Sequence, residues 1–90
     1  MFTICGNKGF HIKFENGATL GVQFGPGNYC NQRKVGYNAP SVSFQWECEN
    51  AEVAIFLPDG KPYRISEHDD VIGWQTAEDV AKWIEVARNL

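Results

Sequence analysis

Residues 9 to 24 constrain the fold most, because two alternating runs meet at a turn that tolerates only one register. Phe10, Ile12 and Phe14 alternate with His11, Lys13 and Glu15, and Leu20, Val22 and Phe24 alternate with Gly21 and Gln23. Period-two alternation of this kind defines two strands, each with one apolar face. A two-residue loop at Asn16-Gly17 would pair Ile12 with Gly21 and send the two apolar sets to opposite faces. A three-residue loop, Glu15-Asn16-Gly17, with Gly17 left-handed in a bulged type I turn, pairs Phe14 with Ala18, Ile12 with Leu20 and Phe10 with Val22. All the large side chains then share one face, which another element must cover.

The C-terminus supplies that element. Val80, Trp83, Ile84 and Ala87 fall at i, i+3, i+4 and i+7, the stripe of an amphipathic helix. Thr76 caps its start, Glu78 and Asp79 stand in the first turn where the dipole favours anions, and Arg88 lies near the end. A helix of about thirteen residues is marginal alone in water, so its stripe must dock on a sheet.

Further strands are expected on both sides of the first hairpin. Phe2 and Ile4 form a short one, reversing through Gly6-Asn7-Lys8-Gly9. Val42, Phe44, Trp46 and Cys48 alternate with Ser43, Gln45, Glu47 and Glu49, and Asn50 turns the chain into Val53–Leu57. Pro58-Asp59-Gly60 then separates Val53–Leu57 from Lys61–Ile65, in a register that pairs Leu57 with Lys61, Ile55 with Tyr63 and Val53 with Ile65. Pro62 lacks a donor and marks that last strand as a sheet edge. The expected fold is α+β: an antiparallel β-sheet of five or six strands built from hairpins, with one C-terminal amphipathic helix packed on it. Ninety residues allow a single domain, 1–90, and no second core.

Composition narrows the function classes. Hydrophobic residues make up 43% of the chain, enough to offset its ordering entropy. The net charge of −3 argues against general nucleic-acid binding. No run approaches the ~18 consecutive apolar residues of a membrane span, and the first residues lack the pattern of an export signal, so a cytoplasmic protein is expected. Cys5, Cys30 and Cys48 fit neither a zinc pattern nor a disulfide framework, so reduced thiols are expected.

No catalytic residue, metal site or cofactor is indicated. Ser41, Ser43 and Ser66 lack a nucleophile-elbow pattern, and His11 lacks a catalytic partner and reads as an exposed strand histidine. Glu67-His68-Asp69-Asp70 lacks the spacing of a calcium loop and reads as a solvated connector. The chemically richest stretch is residues 25 to 40, a connection too long to be a simple crossover without function or mobility. It combines the backbone freedom of Gly25 and Gly27, the amide of Asn28, the rings of Tyr29 and Tyr37, and the adjacent cations Arg33 and Lys34. With Trp74 lining one side, these are the candidate ligand-binding residues for a small anionic nucleotide-like ligand; a plain surface crossover is the alternative. Trp74 reads first as packing between helix and sheet and only second as pocket lining, whereas Trp46 and Trp83 read as core.

Met1–Gly17 and Phe24–Cys30 resemble short uncharacterised proteins of bacteriophages and prophages. The resemblance implies a setting more than a mechanism: small accessory proteins that inhibit host immunity in the host cytoplasm, either by sequestering a nucleotide-derived signal or by covering a host defence protein. The first role would use Arg33, Lys34 and the tyrosines in a homo-oligomer. The second would use an edge strand or the acidic sheet face at Ser43, Gln45, Glu47 and Glu49.

Overall fold

The hairpin register holds throughout. A computed structural model of the chain describes residues 1–6, 8–25, 47–65 and 70–90. In it β2 (Gly9–Lys13) and β3 (Thr19–Gln23) pair Phe10 with Val22 and Ile12 with Leu20. The Phe14 amide donates to the Ala18 carbonyl at 2.9 Å, and Gly17 closes the turn at φ +89°. Asn16 adds an acceptor: its Oδ1 takes the Ala18 N–H at 2.9 Å, the side-chain turn that favours Asn here.

β1 (Phe2–Ile4) lies antiparallel on β2, with Phe2 opposite Ile12 and Ile4 opposite Phe10. On the other flank, β4 (Ala51–Phe56) pairs with β3, Val22 facing Val53 and Leu20 facing Ile55. The sheet ends at β5 (Val71–Gln75), and its order follows the chain from β1 to β5. The result is the expected α+β fold, a five-stranded antiparallel sheet with a C-terminal helix packed on it.

Three expectations are corrected. The turn at Pro58-Asp59-Gly60 sets the expected register, since the Leu57 amide donates to the Lys61 carbonyl at 2.8 Å and the Tyr63 amide to the Ile55 carbonyl at 2.8 Å. Yet Lys61–Ile65 is no strand. It forms one isolated bridge, Phe56 with Pro62, because β5 occupies the other half of the same β4 edge. The edge belongs to β5, which pairs with the first half of β4 and which the sequence pattern does not reveal as a strand. Val53 faces Ile72 and Ala51 faces Gln75, so Gly73 and Trp74 together oppose Glu52 in a bulge, with Trp74 at φ +53°. In the proposed strand ending at Cys48, Glu47 and Cys48 are not in a strand. The acidic row is therefore not a sheet face at its described members Glu47 and Glu49; Val42, Ser43, Phe44, Gln45 and Trp46 lie outside the described residues.

The helix α1 (Ala77–Arg88) begins as expected, in a capping box. The Thr76 Oγ1 accepts the Asp79 N–H at 3.2 Å and the Asp79 carboxylate accepts the Thr76 N–H at 3.0 Å. Its stripe of Val80, Trp83, Ile84 and Ala87 packs on Leu20, Val22, Ala51, Val53 and Ile55, all of them buried. Trp83 is only half-buried, and its Nε1–H donates to Gln75 Oε1 at 2.7 Å. Ile65 joins this core, and Tyr63 packs against it, although neither is in a strand.

Candidate functional site

The helix packs on β3, β4 and β5 but not on β1 or β2. Twelve residues at ~1.5 Å rise span ~18 Å, and five strands at ~4.8 Å spacing are wider than the helix body. Apolar residues on the β1 side of that face therefore lie beyond the helix. Cross-strand pairing puts Phe2 and Ile4 on the face of Ile12 and Phe10, and both stay exposed, at 68% and 71%.

There they bound an open hollow of about 780 Å³, lined by Phe2, Ile4, Phe10, Phe24, Glu47 and Cys48. The Phe2 and Phe10 rings meet edge to face, 6.5 Å between centroids, and form one wall. Phe24 is fixed by its backbone N–H, which donates to the Lys8 carbonyl at 2.6 Å. Gly9 lets that approach happen: a Cβ at this position would collide with the Val22 carbonyl oxygen. Cys48 also lines it, its thiol donating to the Asn50 carbonyl at 3.0 Å. A smaller recess of about 320 Å³ continues from Phe10, Phe24 and Cys48 under the start of the helix, to Gln75 and Val80.

The surface is suited to taking up apolar side chains. Among the described lining residues Glu47 carries the one charge, at the exposed rim. Cys5 and Cys48 are both half-buried. Among the described residues no group of three or more His, Cys, Asp and Glu is placed to hold a metal ion. Among them, too, no helix is long and apolar enough to cross a membrane.

Of the residues expected to bind a nucleotide-like anion, Gly27, Asn28, Tyr29, Arg33, Lys34 and Tyr37 lie outside the described residues, as do Cys30 and Glu67-His68-Asp69. Gly25 is buried just beyond β3 with φ +79°, and Trp74 is 55% exposed on β5. Both stand at the sheet end that holds the hollow, but with β4 between their strands they are ~10 Å apart in the sheet plane. Gln75 faces the helix and the bulge puts Gly73 and Trp74 on the side of Glu52, so Trp74 turns to the face away from the helix and the hollow. His11 also occupies that far face, half-buried instead of exposed, with its ring over Gly21.

The hollow escaped the sequence reading because Phe2, Ile4, Phe10 and Phe24 all have core parity. Strand parity tells which face a residue takes, not how far the covering helix reaches. Comparison with protein-family models, with curated proteins and with solved structures finds no match.

Proposed function

We propose that this chain is a small binding protein that acts by contact with another protein, taking an apolar side chain of its partner into the hollow beside β1. The observation that carries this is the exposure of Phe2 and Ile4, 68% and 71%, next to Phe10 and Phe24 at one end of an ordered sheet. Contiguous exposed apolar surface of this kind marks interaction sites. A small-molecule pocket needs several convergent polar groups to orient its ligand. The described lining is apolar but for Glu47, and it fits better the centre of a protein interface, where rings and aliphatic groups pack and charges gather at the rim. Covering a host protein, one of the two roles implied by the phage resemblance, would use this surface.

A photo-crosslinking phenylalanine analogue placed at Phe2 tests the proposal in cells. A discrete adduct with a second protein is expected, abolished by Ile4→Asp and absent when the crosslinker replaces Trp74 on the far face. Equal labelling from both positions, or adducts of the chain with itself alone, would overturn it. Binding that survives Ile4→Asp but is lost with Arg33→Glu and Lys34→Glu would return the function to capture of a small anion.

A further inference from the structure

The hydrogen-bond pattern of β1 leaves its edge open at the two residues that are also apolar and exposed. The Lys13 N–H donates to the Met1 carbonyl at 2.8 Å and the Cys5 N–H to the Gly9 carbonyl at 2.9 Å. In an antiparallel ladder the bonded residues recur at every second position, so Met1, Thr3 and Cys5 bond to β2 while Phe2 and Ile4 turn their N–H and C=O groups outward. Among the described residues β1 has no strand on that side. The opposite edge is protected, since the bulge at Gly73 and Trp74 distorts β5. β1 carries no such device: it has no proline, no charge and no bulge in Phe2-Thr3-Ile4.

We infer that β1 pairs with β1 of a second copy, antiparallel about a two-fold axis at Thr3, joining two sheets and merging two hollows into one longer apolar trough. The segment is its own complement. With Thr3 opposite its symmetry mate, Phe2 lies opposite Ile4 of the other copy, and all four outward-facing residues exchange backbone hydrogen bonds. A two-fold axis normal to the sheet keeps the same face up in both copies. Phe2 and Ile4 of each copy then extend the floor of the other's hollow.

A second copy suits this edge better than a flexible peptide. Ordering an extended peptide costs about 1–2 kcal/mol per residue, and only three residues of edge are present to offset it. A second β1 is already held in strand form by β2. The area sets the strength: even complete covering of Phe2 and Ile4 on both copies would remove only on the order of 600 Å², and edge pairing leaves their side chains as trough floor, so the buried area stays well below the ~1,200 Å² of a stable complex. The dimer is therefore weak and concentration-dependent. It does not depend on what fills the hollow.

Sedimentation equilibrium of the full chain from micromolar to near-millimolar concentration tests the inference. Thr3 is exposed in the single chain but lies at the closest cross-strand pair of the dimer, where like charges repel. Thr3→Arg and Thr3→Glu should each weaken self-association at least tenfold, and an equimolar mixture of the two should recover it as a heterodimer. That recovery shows that neither variant had simply lost its fold. A wild-type chain that stays monomeric up to 1 mM on the order-of-magnitude scale of weak complexes, or a dimer indifferent to both charges, would overturn the inference. Loss of the dimer with retention of the Phe2 crosslink to another protein would leave the proposed function standing.

Discussion

The side-chain amide of Asn16 donates to the carbonyl of Ala87 at 2.9 Å, tying the β2–β3 turn to the last turn of the helix across the whole length of the chain. The same nitrogen reaches the Leu90 carbonyl at 3.2 Å, while Oδ1 holds the Ala18 N–H within the turn. One residue thus serves the local turn and the orphaned carbonyls of a helix end.

Asn16→Ala should lower stability by about 1–2 kcal/mol, because it removes both functions. Asn16→Asp keeps the acceptor for Ala18 but loses the donor, and it places a negative charge at a helix C-terminus. It should be at least as damaging as Asn16→Ala. Urea midpoints with unchanged slopes would record this. An Asp variant equal to wild type would show that the link between turn and helix contributes nothing.

Trp83 and Gln75 form the second tie. The indole donor is partly buried and its acceptor comes from the strand that leads into the helix. Gln75→Ala leaves that N–H without its partner, for an expected loss of about 1–2 kcal/mol, whereas in a Trp83→Phe background the same change should cost much less. A double-mutant cycle by thermal or urea unfolding measures the difference. Additive effects would mean that the bond carries no net energy.

What the sequence disclosed depended on whether pattern and turn chemistry pointed the same way. At Glu15-Asn16-Gly17 the loop length decides the parity of two long alternating runs, so a single register satisfies both. The helix stripe and its Thr76 cap were equally plain. β5 was hidden because Val71 and Ile72 are adjacent apolar residues, and Gly73 and Trp74 form a bulge that breaks period-two alternation. Glu67-His68-Asp69-Asp70, just upstream, reads as a solvated connector and gives no sign of a strand after it. At Lys61–Ile65 the local register was readable but its extent was not, since β5 occupies the other half of the same β4 edge. The hollow depends on how far a twelve-residue helix reaches across the sheet, and no local pattern contains that distance.

Two glycines with positive φ separate backbone strain from crowding. Gly60 has φ +87° with nothing within 4 Å of a would-be Cβ, so Gly60→Ala should cost only the left-handed penalty of about 1–2 kcal/mol. At Gly9, φ is +152° and the added carbon would run into the Val22 carbonyl and the Gln23 backbone. Gly9→Ala should cost more than Gly60→Ala, and it should also shift the Phe24 resonances, because Phe24 bonds to Lys8 across this contact. Equal losses for the two variants, by denaturant titration, would refute the close approach of β2 and β3.

The capping carboxylate of Asp79 makes the helix start acid-sensitive. Its pKa is lowered from an ordinary value of 3.8, chiefly by the backbone N–H of Thr76, then by the Thr76 side chain, with a smaller contribution from Lys82. A group whose folded pKa is depressed adds stability above its unfolded value and loses that contribution as pH falls through the folded one. The stability gap between wild type and Asp79→Asn should therefore be constant from neutral pH down to about 5. It should close only as the pH drops below 3.8. Because the backbone contact is the larger cause, Thr76→Ala should retain much of this pH dependence while losing about 1 kcal/mol of cap energy. Circular dichroism melts at stepped pH follow both effects, and a gap that persists to the lowest pH would show that Asp79 acts by shape and not by charge.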